Sequence, residues 1–163
     1  MLKLPFGVNI NNLIDDLRII SWEACDILNY YSKRINDGNF EKELIKYKNC
    51  SDPVTIADLK VNDLIISEIN KKYINKPWSF LSEERGESKG NNTDLRNDWL
   101  WVLDPLDGTK DFIQNTGEFA MHLALNYKNI PMLGVVLIPS LEELWIADGN
   151  NCWLEGRNGF KQK

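Results

Sequence analysis

The sequence predicts a layered α/β domain in which two helices pack on a largely antiparallel sheet. Three observations predict it. Leu13, Leu17, Ile20, Ala24, Leu28, Tyr31 and Ile35 recur every three or four residues and form one apolar stripe. A second helical segment opens behind Thr55, with Asp58 three residues on. The last third is a series of short apolar runs separated by turn residues. Helices first and strands after fit this layering better than a doubly wound parallel sheet.

The elements follow in order. The first helix is expected from about Asn12 to Ile35, stopped by Asn36-Asp37-Gly38-Asn39. A short strand over Leu44 to Tyr47 is broken by Ser51-Asp52-Pro53. Thr55 is the N-cap of the second helix, and Asp58 replaces the usual Glu of a capping box. Leu59, Asn62, Ile65, Ile66 and Ile69 continue that helix, and Pro77 lies beyond its end. Ser79 to Ser82 is a strand running into Glu83-Glu84, and the polar stretch Gly86 to Asp98 is a surface loop able to serve as a flap. Trp99 to Leu103 is a strand that delivers Asp104. Strands are expected over Phe119 to Asn126, Met132 to Ile138, Glu143 to Ala147 and Cys152 to Glu155. Lys128-Asn129, Pro139-Ser140 and Asp148-Gly149-Asn150 are the turns between them.

A chain of 163 residues is one domain by its length, with enough apolar residues (43%) to bury a core. The net charge of −5 and the lack of a basic block argue against a nucleic-acid polymer as partner. Cys25, Cys50 and Cys152 form no metal spacing and read as reduced, buried thiols. No apolar run is long enough for a signal peptide or a membrane span, so the expectation is a soluble cytoplasmic protein.

The chemistry concentrates in Asp104-Pro105-Leu106-Asp107-Gly108-Thr109. Pro105 keeps the segment from continuing as an ordinary ladder, and Gly108 lets a ligand approach the backbone. Thr109 opens a short helical pattern over Lys110 to Gln114, whose N-terminal amides suit a phosphate. Two carboxylates about 4 Å apart repel by roughly 4 kcal/mol at an effective dielectric of about 20. Such a pair needs a shared proton or a cation, and oxygen ligands without histidine favour Mg²⁺. Taken alone, the hexapeptide fits a metal site and a capped turn equally well. It does not fit the D-x-D-x-T pattern of aspartyl-phosphate phosphatases. Nor is it an EF-hand loop, because positions three, five and twelve are Leu106, Gly108 and Asn115.

Three motifs together resemble the lithium-sensitive, Mg²⁺-dependent phosphatases that include inositol monophosphatase and fructose-1,6-bisphosphatase. They are Asp52-Pro53-Val54-Thr55-Ile56-Ala57-Asp58, Leu81-Ser82-Glu83-Glu84, and Trp101-Val102-Leu103 leading into Asp104 to Thr109. Gly108-Thr109-Lys110-Asp111-Phe112-Ile113 followed by Gly117-Glu118-Phe119 is similar to the CysQ-type 3'(2'),5'-bisphosphate nucleotidase branch. The resemblance covers roughly residues 13 to 160. It implies a sugar-phosphatase-like αβαβα fold and two or three Mg²⁺ ions. The implied reaction takes 3'-phosphoadenosine 5'-phosphate to AMP and phosphate, with an inositol-phosphatase-like activity as the alternative.

The resemblance also implies roles. Glu83 would bind the first metal, Asp104 would bridge two, the Leu106 carbonyl would bind the first and Asp107 the second. Asp107, Gly108 and Thr109 would cradle the phosphate. Asp58 and the Thr109 hydroxyl would orient and deprotonate the attacking water, with Glu83 completing the catalytic set. Glu84 and Thr55 would support these groups from behind. Lys110 would pair with a second phosphate or would simply be a solvated helix residue.

His122, the sole histidine, shares a strand face with Ala120 and Ala124 and reads as a core or strand-pair residue. The six tryptophans read as packing, and Lys71-Lys72 as a solvated helix end. Members of the resembled family are usually longer and carry a Trp-Asp motif in a second half, whereas no Trp-Asp pair occurs here. The expectation is therefore that residues 1–163 form a single N-terminal metal-binding phosphatase domain, the C-terminal half being absent. One face of the sheet would then lie open. A homodimer, or a separate chain carrying the second half, would complete the site; without one the chain would be a non-catalytic fragment.

Overall fold

The computed structural model describes residues 4–36, 45–49, 52–84, 86–87, 97–159 and 161–162. Helix α1 (Ile10–Asn36) begins two residues earlier than the periodicity predicts. The reason is Asn9, whose Oδ1 accepts the backbone N–H of Asn11 at 2.9 Å and of Asn12 at 3.2 Å. The stripe from Leu13 to Ile35 is buried, except that Tyr31 is only partly covered. Residues 37–39, the expected stop, lie outside the described residues.

Strands β1 (Ile45–Asn49) and β2 (Asp52–Thr55) pair antiparallel as a two-stranded ribbon. The expected break at Asp52-Pro53 is thus a strand instead; Leu44 and Ser51 lie outside the described residues. Pro53 is tolerated because a two-stranded ribbon consists of edges, where a missing N–H costs least. Helix α2 (Ile56–Lys72) follows at once. Its buried face is Ala57, Val61, Ile65 and Ile69, with Asn62 beside them; Leu59 is only half-buried. The helix ends before Pro77, and Lys71 and Lys72 reach Glu68 and Asp16 at 3.2 and 2.9 Å.

The remaining strands are β3 (Trp78–Ser82), β4 (Gly86–Glu87), β5 (Trp99–Asp107), β6 (Ala120–Tyr127), β7 (Ile130–Ile138), β8 (Glu143–Ala147), β9 (Cys152–Gly156) and β10 (Lys161–Gln162). They form one eight-stranded sheet in the order β10-β9-β8-β7-β6-β5-β3-β4. All neighbours are antiparallel except β3 and β5, which run parallel. Gly86–Glu87 is therefore strand rather than the start of a loop, while most of the expected flap lies outside the described residues. The β6–β7 turn uses Lys128 and Asn129 at φ of 50° and 65°, the left-handed geometry that matches strand twist.

Period-two alternation sends Trp78, Phe80, Trp101, Leu103, Leu123, Val135, Leu144 and their neighbours to one face, where they join α1 and α2 in one buried cluster. The opposite face carries Val102, Ala124, Val136 and Trp145, and a cavity of about 300 Å³ lies on it. Trp145 is 39% exposed there, so it is not a packing residue, unlike the other tryptophans. Cys25 is buried as expected, Cys152 is exposed, and Cys50 lies outside the described residues. No helix among the described residues is long and apolar enough to cross a membrane.

Candidate active site

The parallel register of β3 on β5 builds the site. Ser82 is the partner of Leu103, so the next residues along, Glu83 and Asp104, emerge side by side where β3 and its parallel pairing with β5 end. The Glu83 N–H donates to the Leu103 carbonyl at 3.1 Å and fixes the turn. The carboxyl ends of neighbouring parallel strands are where open α/β sheets gather ligands.

A β-bulge then sets Asp107. Asp104 pairs with His122 and Asp107 with Ala120, so three steps on β5 oppose two on β6. In an uninterrupted strand, residues three apart would point to opposite faces. The extra residue removes that conflict. Pro105 and Leu106 are both buried, and Asp104 and Asp107 emerge on the same side.

Helix α3 (Thr109–Gln114) follows, with Gly108 as its N-cap at φ 81°. A Cβ at Gly108 would stand 2.6 Å from the Glu118 carbonyl oxygen and 3.3 Å from Phe119 Cα. The glycine is thus required by backbone conformation and by the packed segment behind it. Thr109 Oγ1 donates towards the Leu106 carbonyl at 3.1 Å and lies 3.4 Å from Asp58 Oδ1. Lys110 is exposed in the first turn of α3.

Asp58 comes from the capping box of α2. Its Oδ2 accepts the Thr55 N–H at 2.9 Å and the Thr55 hydroxyl, while Thr55 Oγ1 accepts the Ala57 N–H at 3.2 Å. Asp58 is 1% exposed. Burial is the main reason its carboxyl is pushed up to about 6, with the charge of Glu84 adding to it and the Thr55 bonds opposing it. Asp104 is pushed up to about 7, first by burial and then by the neighbouring carboxylates of Glu83 and Asp107. Glu84 is half-buried behind Glu83, and its N–H donates to Ser82 Oγ at 3.3 Å.

Two features escaped the sequence reading. Ser82 Oγ donates to Asn62 Oδ1 at 2.6 Å, both groups buried, and this bond ties the end of β3 to α2. A polar residue inside the apolar stripe of α2 was the available signal. Of the two readings for His122 the strand-pair one holds, since it faces Asp104 across β5 and β6, and the core one does not, its side chain being 43% exposed; what the sequence did not show is that its Nδ1 lies 3.9 Å from Asp107 Oδ2.

The donor set is three carboxylates and the Leu106 carbonyl, all hard oxygens, and it suits Mg²⁺. Burial first, and then the neighbouring carboxylates of Glu83 and Asp107, raise the proton affinity of Asp104, and a divalent cation would offset that crowded charge. Among the described residues no three His, Cys, Asp or Glu side chains already converge as a finished cage. Glu83 and Asp107 lie at the surface on rotatable side chains that would have to turn inwards.

Known proteins have related sequences and a similar fold. Residues 18–163 match the inositol monophosphatase family. The chain is 32% identical over 171 residues to the 3'(2'),5'-bisphosphate nucleotidase CysQ of Buchnera aphidicola, covering all of this chain and 60% of that protein. It is 32% identical over 122 residues to the inositol-1-monophosphatase of Mesorhizobium japonicum, covering 74% of this chain and 43% of the relative. Among solved structures, the Thermotoga maritima IMPase superposes with a TM-score of 0.70 at 25% identity, over 91% of this chain and 52% of that one. The extragenic suppressor protein suhB of Bartonella henselae gives 0.71 at 24% identity, over 88% and 52%. The chain thus spans about half the length of the proteins it matches. With its motifs, its parallel β3–β5 pair and its match over residues 18–163, the chain belongs to the inositol monophosphatase family.

Proposed function

We propose that this chain carries the metal-binding half of a Mg²⁺-dependent phosphomonoester hydrolase, whose substrate is a bisphosphorylated nucleoside such as 3'-phosphoadenosine 5'-phosphate. The observation that carries the reading is the backbone placement of Glu83 and Asp107 on either side of Asp104, close enough for their charges to raise its proton affinity, with the Asp58–Thr109 pair supplied by α2 and α3. Glu83, Asp104, Asp107 and the Leu106 carbonyl would hold two or three Mg²⁺ ions. Bound there, the ions would lower the pKa of a coordinated water and offset the charge growing on the phosphoryl oxygens.

The other steps belong to the protein. Thr109 Oγ1, between Asp58 and the Leu106 carbonyl, would take a proton from the attacking water as it passes its own to the buried Asp58 carboxylate, whose affinity near neutrality suits a general base. Glu84 raises that affinity, and Thr55 holds the carboxylate in one orientation. The Gly108–Thr109 backbone would receive the phosphate, and the exposed Lys110 in the first turn of α3 would pair with a second one.

The nucleotide is favoured by the CysQ relatives, of which the Buchnera protein aligns with the whole chain. The similarity to an inositol-1-monophosphatase supports the alternative substrate class. Because the chain spans 60% of the Buchnera relative, a second copy or a complementing C-terminal segment is proposed to complete the substrate pocket. The test is phosphate release with Mg²⁺ from 3'-phosphoadenosine 5'-phosphate and from inositol 1-phosphate, the chain being assayed alone and as its isolated oligomer. Faster release from the inositol phosphate would transfer the assignment to that class.

A further inference from the structure

We infer that Ser82 and Asn62 are positioning residues of the metal site: their buried hydrogen bond holds the Glu83-Glu84 turn against α2 and so sets where the Glu83 carboxylate stands relative to Asp58 and Thr109. The inference rests on the metal-dependent reading above.

The site draws its groups from separate elements. Asp58 stands on α2, Glu83 follows β3, and Asp104 belongs to β5. The β3–β5 register places Glu83 against Asp104, but nothing in that ladder ties either of them to the helix. Asn62 lies four residues after Asp58, one turn along the same face of α2. From there its Oδ1 accepts the Ser82 hydroxyl at 2.6 Å, with both residues buried. One helix face thus serves both halves of the site: Asp58 faces Thr109, and Asn62 meets the end of β3.

The same hydroxyl acts on the turn. Pairing of β3 with β5 ends at Ser82, and the Glu83 N–H makes the bond to the Leu103 carbonyl. The Glu84 N–H turns back instead and donates to Ser82 Oγ at 3.3 Å. Ser82 therefore gives its proton to α2 and accepts one from the turn, so a shift on either side is passed to the other. Both carboxylates on that turn act on the site: Glu83 hydrogen-bonds Asp104, and the charge of Glu84 bears on Asp58. A buried polar pair of this kind adds little net stability, because two apolar groups of the same shape would pack about as well. What it adds is direction, since a hydroxyl and an amide oxygen meet in a narrow range of angles.

The experiment is calorimetric titration of Mg²⁺ into the whole chain, with thermal melting and amide hydrogen exchange of the metal-free chain. In the unaltered chain the Glu84 amide is protected from exchange, as its bond to Ser82 requires. In Ser82→Ala that protection is lost and Mg²⁺ affinity falls about tenfold or more, the scale for groups that hold a metal ligand in place. In Ser82→Ala combined with Asn62→Leu an apolar contact replaces the polar one. The melting temperature then recovers part of its loss, while Mg²⁺ affinity stays low. A double variant that regains both overturns the inference and reduces the pair to packing. An unchanged Mg²⁺ affinity in folded Ser82→Ala overturns it as well. So does an unprotected Glu84 amide in the unaltered chain, a readout that depends on no variant folding and leaves the phosphatase reading intact. An unaltered chain that takes up no Mg²⁺ overturns the inference and the metal-dependent reading together.

Discussion

Asp104 and Asp107 stand on the same side of β5 although they are three positions apart, because one bulged residue between them shifts the strand by half a period. The pair therefore acts as one electrostatic unit, and Asp104→Asn should disable it. The expected loss is about 10²–10³ in phosphate release, the scale for removing one charge-stabilising group. Mg²⁺ uptake measured by calorimetry should fall with it. Metal-free thermal melting at pH 7 should stay level or rise, since the variant removes a crowded carboxylate. A variant that melts lower while still binding Mg²⁺ would show that Asp104 is structural.

Asp58 predicts a pH dependence of stability in the metal-free chain. Its carboxyl titrates near 3.8 when exposed and near 6 when folded. Between those values the folded chain holds more protons than the unfolded one, so stability declines as pH rises through the window. Two units correspond to at most about 3 kcal/mol. Urea unfolding at pH 4.5 and 7.5 should show the decline in the native chain and a flatter response in Asp58→Asn. Parallel responses would rule out a buried, proton-retaining Asp58.

Gly108→Ala should destabilise the chain by about 2–3 kcal/mol, from the positive φ together with the close Glu118 carbonyl. That corresponds to a drop in melting temperature of roughly 5–10 °C for a domain of this size. Because Glu118 is displaced, added phosphate should not restore the melting temperature.

Ser82→Ala removes the donor to Asn62 Oδ1 and leaves a buried amide oxygen without it. The cost should be about 1–3 kcal/mol. Ser82→Ala combined with Asn62→Leu should recover part of it, and a double-mutant cycle measures the coupling.

Lys110→Ala distinguishes substrates. If Lys110 meets a second phosphate, KM for a 3',5'-bisphosphate rises about tenfold or more, in line with the loss of a charge-assisted bond. KM for a monophosphate stays put. Equal effects on both substrates would return Lys110 to the solvated helix face.

Local features were legible in the sequence and pairing features were not. The Thr55–Asp58 capping box lies within one helical turn, so the spacing alone revealed it. The Lys128-Asn129 turn and the alternating strands after it were visible for the same reason. The β1–β2 ribbon was missed because Pro53 reads as a breaker until its partner Tyr47 is known. The bulge depends on how β6 counts against β5, and no spacing within Asp104 to Asp107 states that. His122 looked unaccompanied because its neighbour Asp107 lies 15 residues earlier and reaches it only across a strand pair. The motif order, in contrast, carried the family, which the match over residues 18–163 bears out.

Trp145 has one more use. It is the one indole among six at the open face of the sheet, 39% exposed, with its Nε1 donating to Glu143 Oε2 at 3.3 Å. The molecule therefore carries a built-in optical probe: long-wavelength tryptophan emission belongs mostly to this one residue. Anything that comes to rest on that face, whether a second copy or a complementing segment, will shift the emission to the blue and shield it from iodide quenching, so assembly can be followed without attaching a dye.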